Sequence, residues 1–260
     1  MTAWSSDAER PAMEDGLQYH IRCRAGDVSR FVLLPGDPAR VDAIAAGWRE
    51  ARLVADNREY RTFSGLIDSD PPVPVTCCST GIGGSSAAIA LEELAELGAD
   101  TFVRVGTCGA ISESVRCGDV VICSGAMRRD GVSRDYVDIS YPALAHRDVL
   151  SALVAACGKL GLRHHVGVTC TTASFHLGQA RPGFRGFRQG GGGFIDDLVR
   201  AGVLCFEMET ATILTLAGLY GLRAGAILTV VAHRLENRMD YSGSDGAIAA
   251  ANEAIRMLAG

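Results

Sequence analysis

Residues 75–111 read VTCCSTGIGGSSAAIALEELAELGADTFVRVGTCGAI, and the fold turns on how this stretch is parsed. Val75 to Ser79 suits a buried strand, closed by a turn at Gly81, Gly83 and Gly84. Ala87, Leu91 and Leu94 then recur at helical spacing, Glu92, Glu93 and Glu96 fall on the other face, and Gly98 stands where a helix stops. Thr101 to Val105 predicts a second strand, followed by a second glycine turn at Gly106 and Gly109. The whole is a βαβ unit, and open parallel sheets of this kind hold ligands at the C-terminal ends of their strands, where both turns fall. Arg104 lies between Val103 and Val105, where a charge needs either a partner or a cleft that holds an anion. The Gly, Ser and Thr residues of the turns would leave backbone N–H groups open to such an anion.

The rest of the chain bounds the answer. Its 260 residues, 48% hydrophobic and only 6% aromatic, fit one α/β domain with a large aliphatic core. A net charge of −5 and a pI near 5.7 argue against nucleic acid as a partner. No apolar run reaches the roughly 18 residues of a membrane span, and the polar start MTAWSSDAERPAMEDG lacks the order of a signal peptide. Nine cysteines occur without metal-type pairs, and Cys77, Cys78, Cys123, Cys157 and Cys205 sit in apolar runs, as small core residues of a reducing compartment do. A cytoplasmic enzyme is the expectation, with residues 1–15 a mobile tail and 16–260 the domain.

Elsewhere, Phe31 to Leu34 is a wholly apolar strand, after which Asp37 suits a helix N-cap and Pro38 the first helical position. Arg40, one turn in, makes this either a second anion site or a plain strand-to-helix turn. ARLVADNREYRTFSGLI (51–67) predicts strands joined at Asp56 and Asn57, with Arg58 and Arg61 as solvated edge charges. Asp119 to Cys123 is a buried strand, and residues 141–162 form an amphipathic helix ending at Gly158 or Gly161. The strand-like run from His164 puts His164 and His165 on opposite sides, which argues against a shared metal. Residues 175–197 (FHLGQARPGFRGFRQGGGGFIDD) read as a loop, either a lid around 182–196 or an excursion without a role. VLCFEMETATILTLAGLYGL (203–222) turns from strand to helix, and its Glu207 and Glu209 need sugar hydroxyls, an arginine or backbone donors as partners. A last strand ends at His233 and Arg234, and residues 244–260 close the chain as a helix.

Six motifs stand in order: PGDPAR (35–40), NREY (57–60), STGIGGSS (79–86), RVGTCGAI (104–111), FHLGQAR (175–181) and FEMETATI (206–213). Together they resemble the nucleoside phosphorylase superfamily and, within it, the uridine phosphorylases, from about Tyr19 to Leu258. The resemblance implies a single α/β domain, three-layer α/β/α, with a central mixed and partly barrel-like sheet. It implies reversible phosphorolysis, in which inorganic phosphate is co-substrate, no cofactor is required, and positioning and electrostatics replace a protein nucleophile.

By the same resemblance, phosphate is held by Gly36, Arg40, Arg104 and Thr107, with Arg58 reaching in from a neighbouring subunit. Ribose falls to Met208 and Glu209, with Glu207 in the same turn and His20 of the neighbour at the 5′-hydroxyl. Phe175 stacks on the base, Gln179 and Arg181 read uracil, and Arg234 supports them; Arg104, Thr107, Gln179, Arg181 and Glu209 form the catalytic set. Some members hold a monovalent cation, potassium, at the subunit interface, where Glu59, the Ile82 carbonyl and Ser86 match. The usual assembly is a homo-hexamer, a trimer of dimers with the dimer as minimal active unit.

The chain departs from the pattern at Ala173, where many relatives are acidic, at His233 in AHR, where NR is commoner, at Arg22, and in the glycine run 190–193. These positions border the base loop and the 5′ end of the sugar, which keeps a 5′-modified uridine as an alternative substrate. A purine or broad-specificity phosphorylase would carry an Asp after the last strand, and LTVVAHR (228–234) has none. The hydrolytic branch lacks GDPxR, which is present. A non-catalytic nucleoside-binding protein would not need three phosphate arginines.

Overall fold

A computed structural model describes residues 8–9, 11–13, 15–188, 193–241 and 244–260. Its first strand, β1 (Phe31–Leu34), explains how one sheet comes to carry helices on both faces. Phe31 and Leu33 point into one core, Val32 and Leu34 into another, and all four are buried. The chain continues through α1 (Pro38–Ala45), β2 (Arg49–Asn57), β3 (Tyr60–Ile67), β4 (Val73–Cys78), α2 (Gly84–Glu96) and β5 (Thr101–Ala110). Next come β6 (Val120–Arg129), α3 (Ser133–Tyr136), β7 (Ala143–Leu144), α4 (Arg147–Lys159) and β8 (His164–Thr172). After 3₁₀ turns at Leu177–Gln179 and Phe184–Gly186 follow α5 (Phe194–Arg200), β9 (Val203–Glu207), α6 (Thr210–Leu219), β10 (Arg223–His233), β11 (Arg238–Met239) and α7 (Ser244–Ala259).

The sheet runs β11-β10-β6-β8-β9-β5-β1-β4-β3-β2, and β10 also pairs with β5. That extra pairing closes β10, β6, β8, β9 and β5 into a five-stranded barrel, while β1, β4, β3 and β2 extend from it as an open wing. Cys108, Ala110, Val121, Cys123, Cys205, Ala226 and Leu228 form the core cluster of the barrel strands. On one side Val41 of α1, Leu153 of α4 and Ile255 of α7 join the core of Phe31, Leu33, Val103 and Val105. On the other, Leu91 and Leu94 of α2 and Ile213 and Leu216 of α6 pack with Val32, Leu34 and Phe102. This is the expected three-layer domain with a mixed, partly barrel-like sheet.

Several local expectations are corrected. The second glycine turn does not exist, because β5 runs unbroken through Gly106 and Gly109 to Ala110. A Cβ on Gly106 would lie 2.8 Å from an Arg104 guanidinium nitrogen and 2.9 Å from Leu228 Cδ2, so glycine there makes room for the arginine rather than a bend. The β2–β3 hairpin turns at Arg58 and Glu59, two residues later than expected, with Arg58 at φ +56°. Arg61 is not a free edge charge but bonds Asp42 and Asp56. Glu93 leaves the solvent face of α2 and is buried against His20. β6 reaches Arg129 rather than Cys123, the helix expected from residue 141 begins at Arg147 behind β7, and Phe194–Arg200 is a helix rather than loop.

Other expectations hold. Asp37 caps α1 by accepting from the Ala39 N–H, with Pro38 behind it, and Gly98 ends α2 at φ +97°. His164 Nδ1 meets the Leu162 carbonyl and His165 Nε2 meets Asp119, so the two rings serve different partners. Ala12 bridges to Gln18, while most of the expected tail and the glycines at 190–192 lie outside the described residues. No described helix is long and apolar enough to cross a membrane.

Candidate active site

A cleft of about 740 Å³ opens where the open wing meets the barrel. One end is made by three chain segments: the turn Gly36–Arg40, the turn Gly81–Ile82, and Arg104 to Gly109 of β5. The first two touch so closely that a Cβ on Gly36 would stand 3.1 Å from the Gly81 carbonyl. Arg40 leans in from α1, with Nη1 donating to the Val105 carbonyl at 3.3 Å. Burial, and next the charge of Arg104, lower its pKa from the ordinary arginine value. An anion bound between the two guanidinium groups would relieve that repulsion.

Arg104 is 3% exposed and braced on two edges. Its Nε donates to Glu207 at 3.0 Å and its Nη2 to Glu209 at 2.5 Å, while Nη1 is enclosed with no partner among the described residues. Burial works against this charge, but Glu209 and then Glu207 outweigh it and raise its pKa. Glu209 is held above the ordinary carboxylate range, mainly by burial, with Arg104 opposing. Its other oxygen accepts the Gly83 N–H at 2.5 Å, which ties the start of α6 to the glycine turn before α2. Met208 and Glu209 both border the middle of the cleft, where β9 gives way to α6.

The far end is built from the irregular segment after β8. Arg181 lies over the Phe175 ring, its guanidinium carbon 3.9 Å from the centroid, and donates to the Phe175 carbonyl at 2.9 Å. It also donates to the side-chain oxygen of Gln179. Because a guanidinium can only donate, that bond fixes which way the amide points. The amide nitrogen and the second lone pair of the oxygen are left for a ligand. Arg234 donates to the Gln179 backbone carbonyl at 2.8 Å. Burial, then the charge of Arg234, push Arg181 down to about 10, so this end also holds a pair of unrelieved like charges. Both arginines lie over Gly109 of β5: a Cβ there would meet Arg234 at 3.5 Å and Arg181 at 3.8 Å.

The cleft thus brings together Gly36, Arg40, Arg104, Thr107, Phe175, Gln179, Arg181, Glu207, Met208, Glu209, Glu59 and Ile82. Glu207 borders it, yet its carboxylate is spent on protein donors. Arg58 and His20 do not line it: Arg58 is exposed on the β2–β3 turn, and His20 is half-buried with Nδ1 2.7 Å from Glu93. Ser86 sits just behind Ile82, its hydroxyl 3.5 Å from the Ile82 carbonyl, and Glu59 packs over Gly81. Cys108, Met239 and Tyr241 also line the cleft and were missed. Cys108 reads as one more core cysteine in the sequence, and nothing in the polar run after His233 marks Met239 or Tyr241.

Two anion-seeking ends, separated by a methionine and a carboxylate, define a site for a polar molecule that meets an anion across the cleft. The signature of the Phosphorylase superfamily matches residues 30–259, and the chain belongs to that family. The uridine phosphorylase of Thermococcus kodakarensis is 51% identical over 253 residues, covering 97% of this chain and 90% of that one. A guanosine phosphorylase of Halorubrum lacusprofundi is 39% identical, covering 88% of each chain. The Escherichia coli uridine phosphorylase is 37% identical, covering 85% of this chain and 88% of its own.

Proposed function

We propose that this protein catalyses the reversible phosphorolysis of uridine to uracil and ribose 1-phosphate, as a pentosyltransferase. The observation that carries the reading is the pairing, in one cleft, of buried Arg40 and Arg104 with the Phe175, Gln179 and Arg181 cluster opposite. Phosphate on the first pair would place an oxygen to attack C1′ of the nucleoside. The C1′–N1 bond breaks, its electron pair passes into the uracil ring, and the charge gathers on the ring oxygens, where Arg181 is the available donor. Glu209 is the acceptor for ribose hydroxyls and Met208 the apolar floor beneath the sugar. The Gln179 amide nitrogen and free lone pair suit the O2 and N3–H edge of uracil.

The test is phosphate-dependent release of base from uridine, run beside thymidine, inosine, guanosine and a 5′-modified uridine, with a phosphate-free control. Uracil release from uridine that needs phosphate is the expected result. Guanosine belongs in the panel because a guanosine phosphorylase is among the relatives, and faster turnover of guanosine than uridine overturns the pyrimidine reading. Turnover of only the 5′-modified compound would assign the departures at Arg22, Ala173 and His233 to a specialised substrate.

The active form is proposed to be at least a homodimer, because Arg58, exposed on the β2–β3 turn, and His20, half-buried beside Glu93, stand outside their own cleft; a hexameric trimer of dimers is the assembly proposed. Potassium is proposed near Glu59, the Ile82 carbonyl and Ser86, whose oxygens suit a hard cation. A cytoplasmic location is supported by nine free cysteines, all buried except Cys117.

A further inference from the structure

Thr171 stands outside the cleft, fully buried near the end of β8, and its hydroxyl is used twice. It donates to one carboxylate oxygen of Glu207 and accepts the Ala211 N–H at 2.9 Å. The other oxygen of Glu207 takes Arg104 Nε at 3.0 Å, the Glu209 N–H at 2.9 Å and the Thr210 N–H at 2.8 Å. Three donors thus converge on one oxygen and one on the other, so both oxygens are held by the protein. With its side chain wholly enclosed, Glu207 has nothing left for a sugar hydroxyl. It acts as the point on which Arg104 and the first turn of α6 are hung.

We propose that Thr171 is a positioning residue for the phosphate end of the site: by fixing Glu207, it fixes the orientation of the Arg104 guanidinium. Glu207 takes Nε, Glu209 takes Nη2, and Nη1 is the uncommitted nitrogen. If Glu207 could rotate, Arg104 would trade this one geometry for several. The inference rests on the phosphorolytic reading above, in which Arg104 binds phosphate.

The experiment compares T171V, which keeps the shape and loses the hydroxyl, with T171S, which keeps the hydroxyl. T171V is expected to raise KM for phosphate about tenfold, the scale of a lost buried hydrogen bond to a charged group, and KM for uridine by less, since Glu207 also holds the Glu209 N–H. T171S is expected to behave as wild type. Equal rises in both KM values, no rise in either, or a T171S as impaired as T171V each overturn the proposal. Calorimetric titration with inorganic phosphate gives the same comparison without turnover. A wild type that binds phosphate but does not cleave uridine would therefore sink the substrate reading and still decide the role of Thr171. Should T171V fail to fold, E207Q is titrated instead: phosphate binding weakened about tenfold supports the relay, and wild-type binding overturns it.

Discussion

The two ends of the cleft are made of different material. Arg104 projects from β5, a strand paired with β1, β9 and β10, and its charge is locked to two buried carboxylates. Phe175, Gln179 and Arg181 lie on an irregular segment, and Phe175 is 49% exposed. On the proposed reading, the part that would hold phosphate stands on the sheet, where position is set by many strands at once. The part that would select among bases stands on a segment whose shape can change without disturbing the core.

The comparison breaks most directly at the two arginines. R104Q should cut kcat/KM about a thousandfold and cost roughly 3–5 kcal/mol of stability, because Glu207 and Glu209 stay buried without their cation. R181Q should cut kcat/KM about a hundredfold with an unchanged melting temperature. Thermal melts beside kinetics decide it: an R104Q protein as stable as wild type would mean that the phosphate end is no more built into the fold than the base end. Added phosphate sharpens the contrast. At about a hundred times its Kd it should stabilise wild type and R181Q by roughly 2.7 kcal/mol and leave R104Q unmoved, read as the shift in melting temperature.

The acid limb of activity adds a third separation. Burial raises the Glu209 carboxyl above the ordinary glutamate value of 4.5, so the carboxylate is lost at a higher pH than for an exposed glutamate. As pH falls through that raised pKa, Glu209 gains a proton and loses its ion pair with Arg104 and, on the proposed reading, its hold on ribose. The pH profile of kcat/KM should therefore turn down above pH 4.5 in both wild type and R181Q. A profile flat to pH 4.5 would show that Glu209 does not need its charge.

What the sequence made legible follows from how local each cause is. Asp37, Pro38 and Gly98 act on their own neighbours, and each does what its type and position predict. Arg104 declared itself because a charge in an apolar strand has few explanations. The misreadings have causes far away in the chain. Glu93 is buried because His20, 73 residues earlier, folds onto it. Gly106 lies in a strand because Leu228, across the β5–β10 pairing, and the Arg104 side chain occupy the space of its Cβ. α5 was missed because the glycines before it made FIDD look like more loop. Thr171 gave no signal, since one threonine in a run of Thr and Cys looks like any other strand residue, and its role appears only once Glu207 and Ala211 are beside it.

The finest test sets two glycines against each other, one at each end of the cleft. In G106A the new methyl would lie 2.8–2.9 Å from the Arg104 guanidinium and Leu228 Cδ2, and β5 cannot retreat because it is paired along its length. The guanidinium must give way, and KM for phosphate should rise about tenfold, a fraction of the roughly hundredfold that a 1 Å misplacement can cost. In G178A the methyl would meet Thr172 Cβ at 3.3 Å and Ser174 Cβ at 3.4 Å, contacts that a loop relieves by moving a few tenths of an ångström. KM for uridine should then change by no more than about twofold, the scale of a tolerated substitution. A large effect of G178A would place the rigidity of the base end beside that of the phosphate end, and selection would have to be sought in the exposed cleft residues Met239 and Tyr241.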